Sequence, residues 1–146
     1  MKINNEMRSN NRNIWSRRLA FQALYSWSVN TCVINEIISI FQVDENYNKS
    51  DKDYFNKIVN GVILNINNID DNIKNISEID IKNINFVELN ILRIFIYEFV
   101  YHKKYPKEVL LSESVKLANK FGGQDSYKFI NAFLEKFIVK IPYEKN

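Results

Sequence analysis

The chain has few of the residues that interrupt or staple a polypeptide. Among 146 residues there are three glycines and two prolines, too few breakers for many short strands and tight turns, so helices are expected throughout. A single cysteine, Cys32, excludes an internal disulfide, fits a reducing cytoplasm and reads as a small buried apolar residue. The single histidine, His102, stands in a loop-like stretch between Tyr101 and Lys103. A transition-metal site needs clustered His, Cys or acidic ligands, and a nucleophile activated by histidine needs a matching serine or cysteine context; neither pattern occurs. Walker A and GxGxxG sequences are also missing. No metal, no cofactor and no enzymatic activity are therefore expected. No apolar run reaches the roughly 18 to 20 residues of a membrane span and no secretory signal pattern opens the chain, which predicts a cytoplasmic protein without a membrane partner.

What is present is apolar bulk and an uneven charge. At 46% hydrophobic residues the chain can bury a real core. The net charge of +3 is mild, but Lys2, Arg8, Arg12, Arg17 and Arg18 crowd the first 18 residues against Glu6 alone. Residues 1–13 are polar and aperiodic, which predicts a flexible basic arm, disordered or ordered only on binding. Residues 142–146 are expected to fray.

Between these ends the apolar spacing is helical. A first helix is predicted from about Trp15 to Val29, with Leu19, Ala20, Ala23, Leu24 and Trp27 inward. Its other side carries Trp15, Arg18, Gln22 and Tyr25, with Arg17 and Phe21 at the border. A short helix follows over 35–41, then a polar loop in which Ser50 or Asp51 caps a helix that buries Phe55, Ile58, Val59, Val62 and Ile63. Ile66, Ile69, Ile73 and Ile76 continue beyond it, with a break near Asn67 and Asn68. Residues 86–100 are apolar almost all round, as in a central helix, except for a seam of Asn90, Arg93 and Tyr97. Pro106 opens a final pair. Leu110, Leu111, Val115, Leu117, Ala118 and Phe121 line the first member, which Gly122 and Gly123 end through a positive φ. Asp125 or Ser126 caps the second, whose stripe is Ile130, Phe133, Leu134, Phe137 and Ile138, with Phe129 on its flank and Lys128 outside. The expected fold is an all-α, compact single-domain bundle without a dividing linker.

One helical face carries binding chemistry. Single-stranded RNA is recognised by planes that stack on bases, by groups that bond base edges and by cations that meet phosphates. Tyr25, Gln22 and Arg18 supply these three functions side by side, with no acid among them. The alternative is that Tyr25 and Trp15 pack against a neighbouring helix.

Three segments extend this reading. RRLAFQALYSW (17–27), LRIFIYE (92–98), the following Pro106 and LSESVKLANKFGGQDSYKFINAFLEK (111–136) together resemble the NusB family of transcription antitermination factors, in order and spacing. The resemblance implies about seven helices and no enzymatic activity. It also implies binding of boxA-type single-stranded RNA together with the ribosomal small-subunit protein NusE, within the RNA polymerase antitermination complex that transcribes ribosomal RNA operons. By position it implies an RNA face of Arg12, Arg17, Arg18, Gln22, Tyr25, Asp125, Lys128 and Phe129, and a protein-partner contact at Glu88. The chain departs from the family where an arginine-rich run is thinned to Ile14, Trp15 and Ser16. The Asn-Glu pair of the penultimate helix is Ser112–Glu113, and the glycine after Asn131 is Ala132. Fewer arginines imply weaker RNA binding with a shallower salt dependence. A protein-only adaptor that has lost most RNA binding is the competing expectation. An RNA-modifying enzyme carrying such a domain is not expected, because the chain leaves no room for a catalytic fold.

Overall fold

A computed structural model describes residues 5–30 and 32–145. Lys2 of the basic arm and the last residue of the expected tail lie outside them. Among the described residues there are seven α-helices and no strand, the all-α architecture that the apolar spacing predicts.

The helices are α1 (Asn5–Val29), α2 (Ile34–Gln42), α3 (Lys52–Leu64), α4 (Ile66–Ser77), α5 (Phe86–Ile96), α6 (Lys107–Phe121) and α7 (Gln124–Lys140), with short 3-10 turns at Glu45–Lys49 and Ile81–Asn83. The chain forms two compact units, one ending at Asn60 and one beginning at Gly61, so the boundary falls inside α3 and no linker marks it.

In the first unit α1 packs on α2 and on the 3-10 turn. It starts at Asn5, some ten residues before the expected start near Trp15. Residues 5–14 contain neither proline nor glycine, so nothing stops the helix from propagating back from its packed part. The inward set is Leu19, Ala20, Phe21, Ala23 and Leu24, all buried, with Trp27 half-buried. Cys32 is exposed in the connection between α1 and α2, contrary to the buried position expected of it. Of the two candidate caps for α3 it is Asp51 that serves: its Oδ1 accepts from Tyr54 N–H at 3.1 Å, whereas Ser50 Oγ donates to the Tyr47 carbonyl.

The second unit is built around α5. Residues 89–96 are all buried, as a helix apolar all round requires, and Asn85 caps its start by accepting from Glu88 N–H at 2.8 Å. The polar seam of α5 is an anchor. Arg93 donates through Nε and Nη2 to the two carboxylate oxygens of Asp70 on α4, each at 2.9 Å, and through Nη1 to Asn90 Oδ1 at 3.1 Å. Helix α5 then widens into a π-helical turn over Tyr97–His102. Phe95 and Phe99 both meet Phe137 of α7 edge-on, at 5.2 and 5.0 Å between ring centroids. His102 thus ends a helical turn rather than standing in a loop, and its ring lies 5.9 Å from Tyr97 and 6.1 Å from Tyr105. The break between α3 and α4 falls at Asn65, two residues before the expected place.

The corner between α6 and α7 is where expected, for a different reason. Gly122 and Gly123 are both extended, with φ of −102° and −97°, and the left-handed helix ends fall instead on Glu78 and Lys103. Glycine at 122 answers a close approach: a Cβ there would lie 2.6 Å from Ser126 Cβ and 2.9 Å from the Ala118 carbonyl oxygen. Asp125 and Ser126 do not cap α7; Gly123 precedes its first turn and both lie within it. The tail is also tied down, since Tyr143 packs 4.9 Å from the Phe99 ring and its hydroxyl donates to the Tyr105 carbonyl.

Candidate nucleic-acid interface

The exposed side of α1 is set by what its buried side must do. Leu19, Ala23 and Leu24 fill the core, which turns residues 12, 15, 18, 22 and 25 outward at the 3.6-residue period. Tyr25 is 40% exposed and rests 6.3 Å from the buried ring of Phe21, tilted by 37°. A ring propped in this way and exposed over part of its surface can meet a base without first having to be ordered. Gln22 and Arg18 are half-buried and Arg12 is exposed on the same helix.

Arg17 is the exception among the expected α1 contacts. It is 3% exposed and its guanidinium lies 5.3 Å from the centroid of the Tyr54 ring. The border position read from spacing resolves inward because an aromatic plane on α3 accepts the cation there. Arg17 therefore belongs to the packing under the helix and not to the surface stripe.

The first unit adds two residues that spacing did not single out together. Ser16, one of the residues in the thinned arginine run, is fully buried. Its Oγ accepts from Asp51 N–H at 2.9 Å, with the Asp51 and Arg12 carbonyls 2.8 and 2.9 Å away as acceptors for the hydroxyl proton. This tether holds the end of the 3-10 turn against α1. It places Lys49 Nζ 5.0 Å from the centroid of the Trp15 ring, while Arg18 Cζ lies 5.2 Å from the same ring. Lys49 is 34 residues from Trp15, so no local spacing signals the pair. Trp15 is thus a half-buried ring beside two cations.

On the second unit, Asp125 sits in the first turn of α7, where its carboxylate complements the helix dipole. Lys128 and Phe129 follow at i+3 and i+4, so all three share one side of the helix; Asp125 and Lys128 are exposed and Phe129 half-buried. Beside them a recess of about 400 Å³ is lined by Asn119, Gly122, Gly123, Gln124 and Tyr127. Glu88 is half-buried in the first turn of α5, near the 42%-exposed Phe86. Among the described residues no group of three or more His, Cys, Asp or Glu side chains is placed to hold a metal. Nor is any described helix long and apolar enough to cross a membrane.

Comparison with known proteins gives this arrangement its context. The sequence pattern of the NusB family matches residues 15–139. The chain is 37% identical over 121 residues to the transcription antitermination protein NusB of Pseudomonas putida, covering 83% of this chain and 73% of that protein. It is 30% identical over 125 residues to the protein of the same name from Shewanella amazonensis, covering 86% and 93%. Among solved structures, T. maritima NusB superposes with a TM-score of 0.74 at 26% identity, over 96% of this chain and 94% of that one. A chain from a crystal structure of the antitermination factors NusB and NusE with double-stranded RNA reaches 0.77 at 24% identity, over 88% and 96%, a likeness of fold. Seven helices in this order, and a sequence match running from the Trp15 turn to the end of α7, make the chain a member of the NusB family.

Proposed function

We propose that this protein is a transcription antitermination factor that binds boxA-type single-stranded RNA together with the ribosomal protein NusE and promotes processive transcription of ribosomal RNA operons. The observation that carries the reading is the outward stripe of α1, where the partly exposed Tyr25 rests on a buried ring on the same helical face as Gln22 and Arg18. Stacking on such rings contributes on the order of 1–3 kcal/mol per base, enough for useful affinity at a mild net charge. Arg12, Arg18, Gln22 and Tyr25 are the proposed RNA contacts on the first unit, and Asp125, Lys128 and Phe129 those on the second. Glu88 is the proposed contact for NusE. Arg17 takes a supporting place beneath the stripe. The protein acts in the cytoplasm as a binding component and not as an enzyme; its one histidine is packed between two tyrosine rings.

Burial of Arg17 and the thinned arginine run favour a second reading, a protein-only adaptor. Titrating a labelled boxA RNA with the protein, with and without NusE, separates the two. The first reading expects RNA binding that tightens when NusE is present; no RNA binding to the pair in low salt would leave the adaptor.

A further inference from the structure

The sequence stretch that resembles an RNA-binding run yet lacks most of its arginines contains the tryptophan on which two cations converge. We propose that Trp15, Arg18 and Lys49 form a phosphate clamp for the RNA strand, in which a lysine from the 3-10 turn takes over charge that α1 itself lacks. The inference rests on the RNA-binding reading above and extends it to a residue outside the RNA face proposed there.

Three observations carry it. First, Arg18 and Lys49 come from different elements and lie at 5.2 and 5.0 Å from one indole ring, within the roughly 6 Å over which a ring face attracts a cation. Held there, both long side chains have already lost much of their rotational freedom, so an anion that meets them orders little more. Second, the clamp has no internal counterion. Among the described residues neither cation has a carboxylate within salt-bridge distance. Of the acids nearby in sequence, Asp51 accepts from Tyr54 N–H and Asp44 from Asn46 N–H, while Glu45 and Asp53 are exposed without an ion pair to either cation. Two cations without a carboxylate partner beside one ring leave a local positive potential for a phosphate to meet. Third, the placement is built. Ser16 bonds both backbone groups of Asp51 from a fully buried position, which fixes the turn that carries Lys49. Lys52 at the start of α3, 5.2 Å from the Tyr47 ring, and Arg12 on α1 are further exposed cations of the same unit.

A single phosphate contact to a single strand contributes about 0.7 to the slope of log affinity against log salt. Taking about 1 M as the salt at which that contribution vanishes, loss of Lys49 weakens binding about eightfold near 0.05 M and about threefold near 0.2 M. The test is fluorescence anisotropy of a labelled boxA-type single-stranded oligonucleotide titrated with the protein in saturating NusE, across that salt range. Lys49→Ala is expected to show these losses and the reduced slope, and Lys49→Arg to restore near-native binding. Trp15→Leu is expected to weaken binding while Lys57→Ala, an exposed lysine elsewhere on α3, leaves it unchanged. If Trp15→Leu disturbs the fold, the exposed Lys49 variants still decide the matter. Native affinity and slope in Lys49→Ala, with Tyr25→Ala weakened, overturn the clamp and leave the RNA face standing. Absence of binding by the unaltered protein overturns both.

Discussion

Replacing Gly61 by alanine sets two known effects against each other. In the interior of α3 the substitution ordinarily stabilises by about 1 kcal/mol through helix propensity. A Cβ at this position, however, would lie 2.1 Å from Tyr97 Cε1 and 2.5 Å from Cζ. Carbon atoms settle at about 3.5–4.0 Å, so the ring must retreat by roughly 1.5 Å. It is 8% exposed and lies 5.9 Å from His102 and 6.4 Å from Tyr101, so the displacement spreads through the π-helical turn. Overpacking of this kind costs about 1–3 kcal/mol, and the intrusion is deep enough to place it near the upper end. The net expectation is a loss of about 1–2 kcal/mol, or a melting point lower by roughly 2–8 °C for a chain of this length. Thermal and urea unfolding of Gly61→Ala read the effect. In a Tyr97→Ala background the same change is expected to stabilise by up to about 1 kcal/mol, because only propensity then remains. A Gly61→Ala protein as stable as the unaltered chain, with no reversal in the second background, would refute the reasoning.

Asp70→Ala leaves the 7%-exposed Arg93 without its carboxylate and is expected to destabilise by about 3 kcal/mol in urea, the low end for a broken buried pair because Asp70 keeps some contact with water. Asp71→Ala, on the exposed side of α4, should stay within about 0.5 kcal/mol. Burial and then the charge of Glu98 push the Tyr97 hydroxyl above its ordinary 10.0. The unfolded chain therefore releases this proton first, and the contribution of the neutral phenol is present below pH 10 and lost as pH rises from there through the raised folded value. Urea midpoints at about pH 9 and about pH 11 should fall less for Tyr97→Phe than for the unaltered protein, and equal falls would count against it. Glu88→Lys is expected to weaken NusE binding about tenfold, near 1.4 kcal/mol, in calorimetry, while RNA binding to the free protein stays the same; a loss of RNA affinity instead would misplace that surface.

The helices were legible where burial is one-sided or complete. Residues 86–100 declare a central helix because almost every position is apolar, and the Ile130 to Ile138 stripe declares α7 in the same way. What local reading lacks is the partner at a distance. The seam of Asn90 and Arg93 is visible in the sequence, but its purpose depends on Asp70, 23 positions earlier, and Lys49 reaches Trp15 from 34 positions away, beside the Ser16–Asp51 bonds. Glycine was read as a left-handed turn at 122 and 123, whereas the crowding that requires it comes from Ser126 and Ala118. The two left-handed positions fell on Glu78 and Lys103, where no residue preference signals them. Polarity alone made residues 5–13 look unstructured, although a helix already paid for by the packing of residues 19–24 can extend through polar residues at little cost. Tyr25 was legible as an outward residue since it lies opposite Leu19 and Ala23 on the helix. Arg17 was ambiguous by spacing, and the ring of Tyr54 decided it.

The central claim is that the outward stripe of α1 reads unpaired RNA, and the most direct test is the affinity of boxA RNA for the protein in complex with NusE, measured for Tyr25→Ala and Phe129→Ala against the unaltered chain. Each substitution is expected to lower affinity by about 1–3 kcal/mol with helicity and NusE binding intact. Unchanged affinity in Tyr25→Ala, in a protein that still folds and still binds NusE, would contradict the account.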